Sequence, residues 1–191
     1  MTAQFDYTSL KSVGNDVLIS PRAEIRRPHL VTLGNHVAID SGAYITTAAN
    51  IADYVHIGPV VTIIGGERGL FTMGNFTNLA AGCRIACVSD LYRGDGLAGP
   101  ASIPEQYQDE VIAAPVTLQD FVSVGTNAVI MPGVTLAQGC VIGACSLVNK
   151  STEPWTIYTG IPARAIKSRP RDTMIRYAEE LGYVIGAAPR Q

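Results

Sequence analysis

The stretch Val122–Lys150 reads VSVGTNAVIMPGVTLAQGCVIGACSLVNK. A large aliphatic residue recurs at every sixth position: Val124, Ile130, Leu136, Ile142 and Val148. Two positions before each stands a small or β-branched residue: Val122, Ala128, Val134, Cys140 and Ser146. In an extended segment, residues two apart point to the same side. A large and a small residue pointing inward together fill a narrow prism, and three hexads close one triangular coil. This is the hexapeptide period of a parallel β-helix.

The period extends upstream. It runs through Leu33, Ile39 and Ile45, then Ile51, Ile57 and Ile63, then Met73, Leu79 and Ile85, and resumes at Leu118. The small inward partners are Val37, Ala43, Val55, Val61, Thr77, Cys83 and Val122. Gly, Asn and Asp gather between hexads, where tight turns favour them. An ordinary α/β sheet would need helical periodicity between its strands, and none is visible before about residue 170.

The register also locates the insertions. Leu33 to Ile51 is 18 residues, one coil, and Leu118 to Leu136 is again 18. Ile51 to Met73 is 22, with the excess at Gly65–Gly69. Met73 to Leu118 is 45, which places a 27-residue excess between Ile85 and Leu118. The reading is one all-β domain over 1–191. Its coils occupy about 15–85 and 116–155, interrupted by an inserted loop at 86–115. Residues 1–32 read as an irregular lead-in with an incomplete first coil. An exit segment follows at 156–169, then a short helix at 170–183 with Asp172 as its N-cap.

Composition agrees with a prism. Only 16% of the residues are charged and 47% are hydrophobic, which excludes a disordered chain. A net charge of −2 does not predict nucleic-acid binding. No apolar run approaches the roughly 20 residues of a membrane-spanning helix. The start MTAQFDYTSL lacks the basic, then apolar, pattern of a signal peptide. Cys83, Cys87, Cys140 and Cys145 match no zinc spacing and read as small apolar groups. The expectation is a cytoplasmic protein. Flat faces with so little charge suit burial against further copies of the chain.

The residue before each inward aliphatic points outward. On the strand through Ile39, Ile57, Leu79, Val124 and Ile142 these are Ala38, His56, Asn78, Ser123 and Val141. His56, Asn78 and Ser123 should therefore stack as a polar stripe with one-coil spacing, about 5 Å. An imidazole, with a reference pKa of about 6.5, is the usual general base. His36 falls at a corner and reads as structural, and His29 precedes the clear repeats. The insert carries Asp90, Tyr92, Arg93, Asp95 and Tyr107, groups suited to hydroxyl-rich or amine-bearing ligands.

With these residues in place, the chain resembles the left-handed β-helix hexapeptide acyltransferases, in particular the small bacterial sugar O- and N-acetyltransferases of surface-polysaccharide pathways. Val116–Arg169, including WTIYTGIPARAIKSR, is the stretch most similar to that family. The resemblance implies a left-handed coil, a homotrimer with sites between prisms, and acetyl-CoA as acyl donor. It implies that Ser123, Gly125, Gly143 and Ala144 line the pantetheine track. Lys150, Arg164 and Lys167 would meet the phosphates, with Thr159 and Pro162 near the adenine. Tyr92, Arg93, Asp95 and Tyr107 would bind a sugar or sugar-nucleotide acceptor.

The chain departs from the maltose and galactoside acetyltransferase pattern. Cys87-Val88-Ser89-Asp90 stands where those enzymes carry a histidine. YVHIG and SDLYRG are similar to a subgroup that acylates sugar nucleotides or glycans. The base is therefore expected to be His56, with Asp90 as its orienter or as an acceptor carboxylate. Asn78, or a backbone N–H near Gly125, would stabilise the oxyanion. Two other readings fit the repeat: a non-catalytic β-helix scaffold subunit, and a metal hydratase resembling the γ-class carbonic anhydrases, which would use the three histidines.

Overall fold

A computed structural model of the chain describes residues 4–100 and 102–185. It is a left-handed parallel β-helix with three flat faces. The first face stacks six short strands, from Ser12–Val13 to Thr135–Leu136. The third also stacks six, from Glu24–Ile25 to Leu147–Val148. The second stacks Leu18–Ile19, Ala38–Ile39, His56–Ile57, Asn78–Leu79, Ser123–Val124 and Val141–Ile142. It then adds Thr156–Gly160 and the antiparallel Ala163–Ser168.

The inward residues are those of the hexad register. Ile39, Ile57, Leu79, Val124 and Ile142 are buried on the second face, and their small partners Val37, Val55, Thr77, Val122 and Cys140 are buried beside them. Removing one such aliphatic from water stabilises the fold by about 1.5–3 kcal/mol. Thr77, the polar member, donates its hydroxyl to the Gly74 carbonyl at 2.8 Å.

The first-to-second corner repeats one chemistry from coil to coil. Asn35 N–H donates to Asp53 Oδ1 (2.7 Å), Asp53 N–H to Asn75 Oδ1 (3.1 Å), and Asn75 N–H to Asp120 Oδ1 (2.7 Å). The next residue at each level has a left-handed backbone: His36, Tyr54, Phe76 and Phe121. Such a conformation costs an L-residue roughly 1–2 kcal/mol. The rings offset it by stacking, with centroids 4.5, 5.2 and 5.3 Å apart and Trp155 ending the column at 5.6 Å. Aromatic pairs of this kind contribute about 0.5–1.5 kcal/mol each.

Three expectations are corrected. The first coil is complete, because Ser12–Val13, Leu18–Ile19 and Glu24–Ile25 each join a face. The helix spans Asp172–Glu180, so Asp172 is its first residue, and the cap position is Arg171, which makes no side-chain cap bond. Asp172 still acts favourably on the helix dipole from the first turn. The insert is not structureless: Val88–Asp90 pairs antiparallel with Val111–Ala113 at its base. Beyond that base, buried Asp109 accepts from the N–H groups of Gly94 (3.3 Å) and Glu110 (2.7 Å) and holds the loop together.

The terminal helix lies over the aromatic corner. Ala178, Met174 and Ile175 pack with Phe121, Trp155 and Phe76. Tyr183 then closes on the column and donates its hydroxyl to Asp53 at 2.7 Å. Among the described residues, no helix is long and apolar enough to cross a membrane.

Candidate active site

The polar stripe forms as the register requires. His56 pairs with Asn78 on the next coil, and Asn78 with Ser123 on the one after. Asn78 Nδ2 donates to Ser123 Oγ at 3.1 Å. All three side chains point out of the second face, because Ile57, Leu79 and Val124 beside them point in.

His56 has a carboxylate partner within the chain, and it is Asp40: Nε2 lies 2.9 Å from Asp40 Oδ2. An ionised carboxylate only accepts. In the neutral ring this contact assigns the proton to Nε2 and leaves the lone pair on Nδ1. Asp90 occupies a different place. It pairs with Val111 at the base of the insert, at the corner between third and first faces, so Asp40 and not Asp90 orients His56 within one chain. The signal for Asp40 was available, since it follows inward Ile39 directly on the preceding coil.

The backbone N–H of Gly125 is already used. It donates to the Ile142 carbonyl at 2.7 Å, which removes it as an oxyanion donor. Asn78 keeps a second amide proton for that role. Gly125 and Gly143 are glycines for packing reasons as well: a Cβ on Gly125 would lie 2.6 Å from Ala144 N, and one on Gly143 would lie 2.9 Å from Thr159 Oγ1. The coils thus meet closely along the second-to-third corner. Ala144, Thr159, Pro162 and Arg164 remain exposed on that edge. Such a narrow, small-residue edge with Arg164 and Lys167 on the exit hairpin fits an extended thiol arm ending in phosphates. Lys150 follows the last third-face strand and sits at another corner from Arg164.

In the insert, Tyr92, Asp95 and Tyr107 are exposed. Arg93 is paired with Glu110 at 2.6 Å, so part of its charge is already neutralised. The three buried thiols, Cys83, Cys87 and Cys140, are poor nucleophiles. Burial pushes Cys87 up to about 11 and raises Cys83 and Cys140 as well. Among the described residues, no three His, Cys, Asp or Glu side chains converge as a metal site.

Two features were missed in the sequence. One is the aromatic column, although every ring but Trp155 follows a large inward apolar residue by three positions, as Tyr54 follows Ile51. The other is Arg169, whose Nη1 donates to the carbonyls of Phe121 (2.8 Å) and Gly139 (3.0 Å). Burial pulls its pKa below the ordinary value. It borders a cavity of about 280 Å³ between the helix and the second face, which Asn78 and Ser123 also line.

The open second face thus presents an oriented imidazole, an amide and a hydroxyl together. Residues 115–150 match the family model described as bacterial transferase hexapeptide (six repeats). The dTDP-4-amino-4,6-dideoxy-D-glucose acyltransferase of Escherichia coli is 30% identical over 171 residues, covering 88% of this chain and 87% of that protein. Solved structures of the N-acyltransferase AntD from Bacillus cereus are also similar. One, with dTDP-4-amino-4,6-dideoxyglucose and coenzyme A, has a TM-score of 0.85 at 34% identity and covers 91% of each chain. Another, with dTDP and 3-hydroxybutyryl-CoA, has the same score and identity over 92% of each chain. The chain belongs to the hexapeptide-repeat acyltransferase family.

Proposed function

We propose that this enzyme transfers an acyl group from acyl-CoA to the amine of a dTDP-linked amino-dideoxysugar. The observation that carries this reading is the likeness to the E. coli acyltransferase and to AntD over nearly the whole chain. On this reading the enzyme would serve surface-polysaccharide synthesis and work as a cytoplasmic homotrimer.

The roles follow from the site. The acceptor amine attacks in its neutral form. His56 Nδ1 takes the proton that the amine sheds as the new C–N bond forms, while Asp40 holds the ring. The C–S bond breaks, and the proton taken up by His56 passes to the sulfur so that CoA leaves as its thiol. Asn78 donates to the carbonyl oxygen as charge builds there, a contribution of about 3 kcal/mol. Ser123, Gly125, Gly143 and Ala144 flank the thiol arm. Thr159 and Pro162 border the nucleotide end, and Arg164 and Lys167 hold its phosphates, while Lys150 lies apart from them at another corner. Asp90, Tyr92, Arg93, Asp95 and Tyr107 approach the acceptor from the insert.

Purified protein is incubated with acetyl-CoA or 3-hydroxybutyryl-CoA and dTDP-4-amino-4,6-dideoxyglucose, and thiol release is followed. Turnover with the amine and none with the matching 4-hydroxy nucleotide is expected. Turnover of the hydroxyl compound alone would overturn N-acylation, and intact protein that releases no thiol with any acceptor would favour a scaffold. Light scattering should give three times the 20.2 kDa chain mass.

A further inference from the structure

One hydroxyl on the stripe has no task in the chemistry above. We infer that Ser123 is a catalytic residue: its Oγ–H, primed by Asn78, is a second donor to the thioester oxygen as charge gathers there. This role rests on the acyl-transfer reading and adds a reacting group to it.

The β-helix consumes its own backbone donors. On the second face the N–H groups of His56, Gly58, Asn78, Ala80, Ser123 and Gly125 all donate to carbonyls of the next coil, at 2.7–3.1 Å. Stabilisation of an oxyanion over these strands therefore falls to side chains. Asn78 and Ser123 are stacked neighbours, and Asn78 Nδ2 donates to Ser123 Oγ at 3.1 Å. Ser123 accepts in that bond, so its own proton is left to go elsewhere. The outward residue one coil further is Val141, whose side chain offers no acceptor. Accepting from the amide also polarises the Ser123 O–H and strengthens it as a donor.

Direction and reach agree with the role. His56, Asn78 and Ser123 stand on three consecutive coils, so base and hydroxyl are two spacings apart, about 10 Å. In the tetrahedral intermediate the attacking nitrogen and the oxyanion share one carbon and lie about 2.4 Å apart. With a hydrogen bond of about 2.8 Å at each end, the assembly spans about 8 Å. A small lean of the two end side chains closes the rest. His56 Nδ1 then takes the amine's proton at one end, and the oxygen turns toward Ser123 at the other. Asn78, midway, gives its remaining amide proton to the same oxygen. Arg169 and Tyr177 border the cavity beside these residues. Arg169 Nη1 is committed to the Phe121 and Gly139 carbonyls, and Tyr177 serves as the control position.

The direct readout is infrared spectroscopy of acetyl-CoA, isotope-labelled at the thioester carbonyl and bound to the full chain, which needs no acceptor. Donors to that oxygen lower its C=O stretching frequency. Binding to the wild type should lower it relative to the free donor. Ser123→Ala should lose part of that shift, Ser123→Thr, which keeps a hydroxyl, should restore it, and Tyr177→Phe should leave it as in the wild type. In turnover, Ser123→Ala should lower kcat about thirtyfold, less than the roughly 10²–10³ of a fully sequestered donor because Ser123 is only half-buried. The donor KM should stay within about twofold, since the bond strengthens in the transition state. A shift equal in wild type and Ser123→Ala, or Ser123→Thr behaving as Ser123→Ala, overturns the inference. Frequency shifts as expected with no transfer to any dTDP-amino sugar support Ser123 and sink the acceptor reading. Transfer by Ser123→Ala at the wild-type rate does the reverse.

Discussion

Asp40→Ala is the most informative substitution, because Asp40 acts on the reaction only through His56. A positioned general base contributes about 10²- to 10⁴-fold, so His56→Ala should lower kcat/KM within that range. The bond from Nε2–H to Asp40 is charge-assisted and 2.9 Å long. Such bonds contribute about 1.5–3 kcal/mol net when sheltered. Here the side chains are 53% and 38% exposed, and water replaces part of the lost contact. About 1.4 kcal/mol remains, which corresponds to a tenfold loss for Asp40→Ala. Asp40→Asn keeps an oxygen that accepts the same proton and should stay within about threefold of wild type. The double variant His56→Ala/Asp40→Ala should be no worse than His56→Ala alone. The assay is initial-rate thiol release at saturating donor with varied dTDP-amino sugar, with Tm followed in parallel. Losses that multiply in the double variant, or an Asp40→Ala loss equal to that of His56→Ala, would refute the proposed roles.

Other outcomes follow from the corner ladder and the thiols. Burial raises the pKa of Asp120, and its Oδ1 needs only to accept from Asn75 N–H. Asn fills the same ladder position at Asn35 and Asn75, so Asp120→Asn should raise Tm by about 1–3 °C at pH 7. Burial opposes ionisation of Asp53, but the Asn35 N–H, the Tyr183 hydroxyl and the Asn35 amide outweigh it and hold the carboxyl below its ordinary value. A depressed carboxyl stabilises the fold above its unfolded pKa and loses that contribution as pH falls through the folded one. Tyr183→Phe should therefore cost about 1 kcal/mol at pH 7 in denaturant titrations and progressively less in acid. Finally, Cys145 is exposed while Cys83, Cys87 and Cys140 are buried. A thiol reagent should label one cysteine per native chain and four after unfolding, and fast labelling of a second would contradict the packing.

Much of the fold could be read from spacing. Ile57, Leu79 and Val124 are buried where the hexads put them, and the outward stripe follows from alternation alone. The first coil escaped because Val13 to Leu33 is 20 residues, not 18, with Pro28–Leu30 taking up the excess in a 3₁₀ turn. The insert's internal order escaped because Asp109 stabilises it through a buried carboxylate, which no period announces. Asp90 was misplaced relative to His56 because nearness in motif says nothing about which corner a loop leaves from.

The sequence by itself determined the prism, its register and the residues that share a face. A hexad repeat fixes both which way each side chain points and which coil it stacks on. Only the tertiary structure decided that Asp40 holds His56, that Gly125 N–H is already bonded, and that the terminal helix walls a pocket beside the stripe. Those facts depend on side-chain directions and on a helix docking some 45 or more residues from the strands it covers, contacts that no local period encodes.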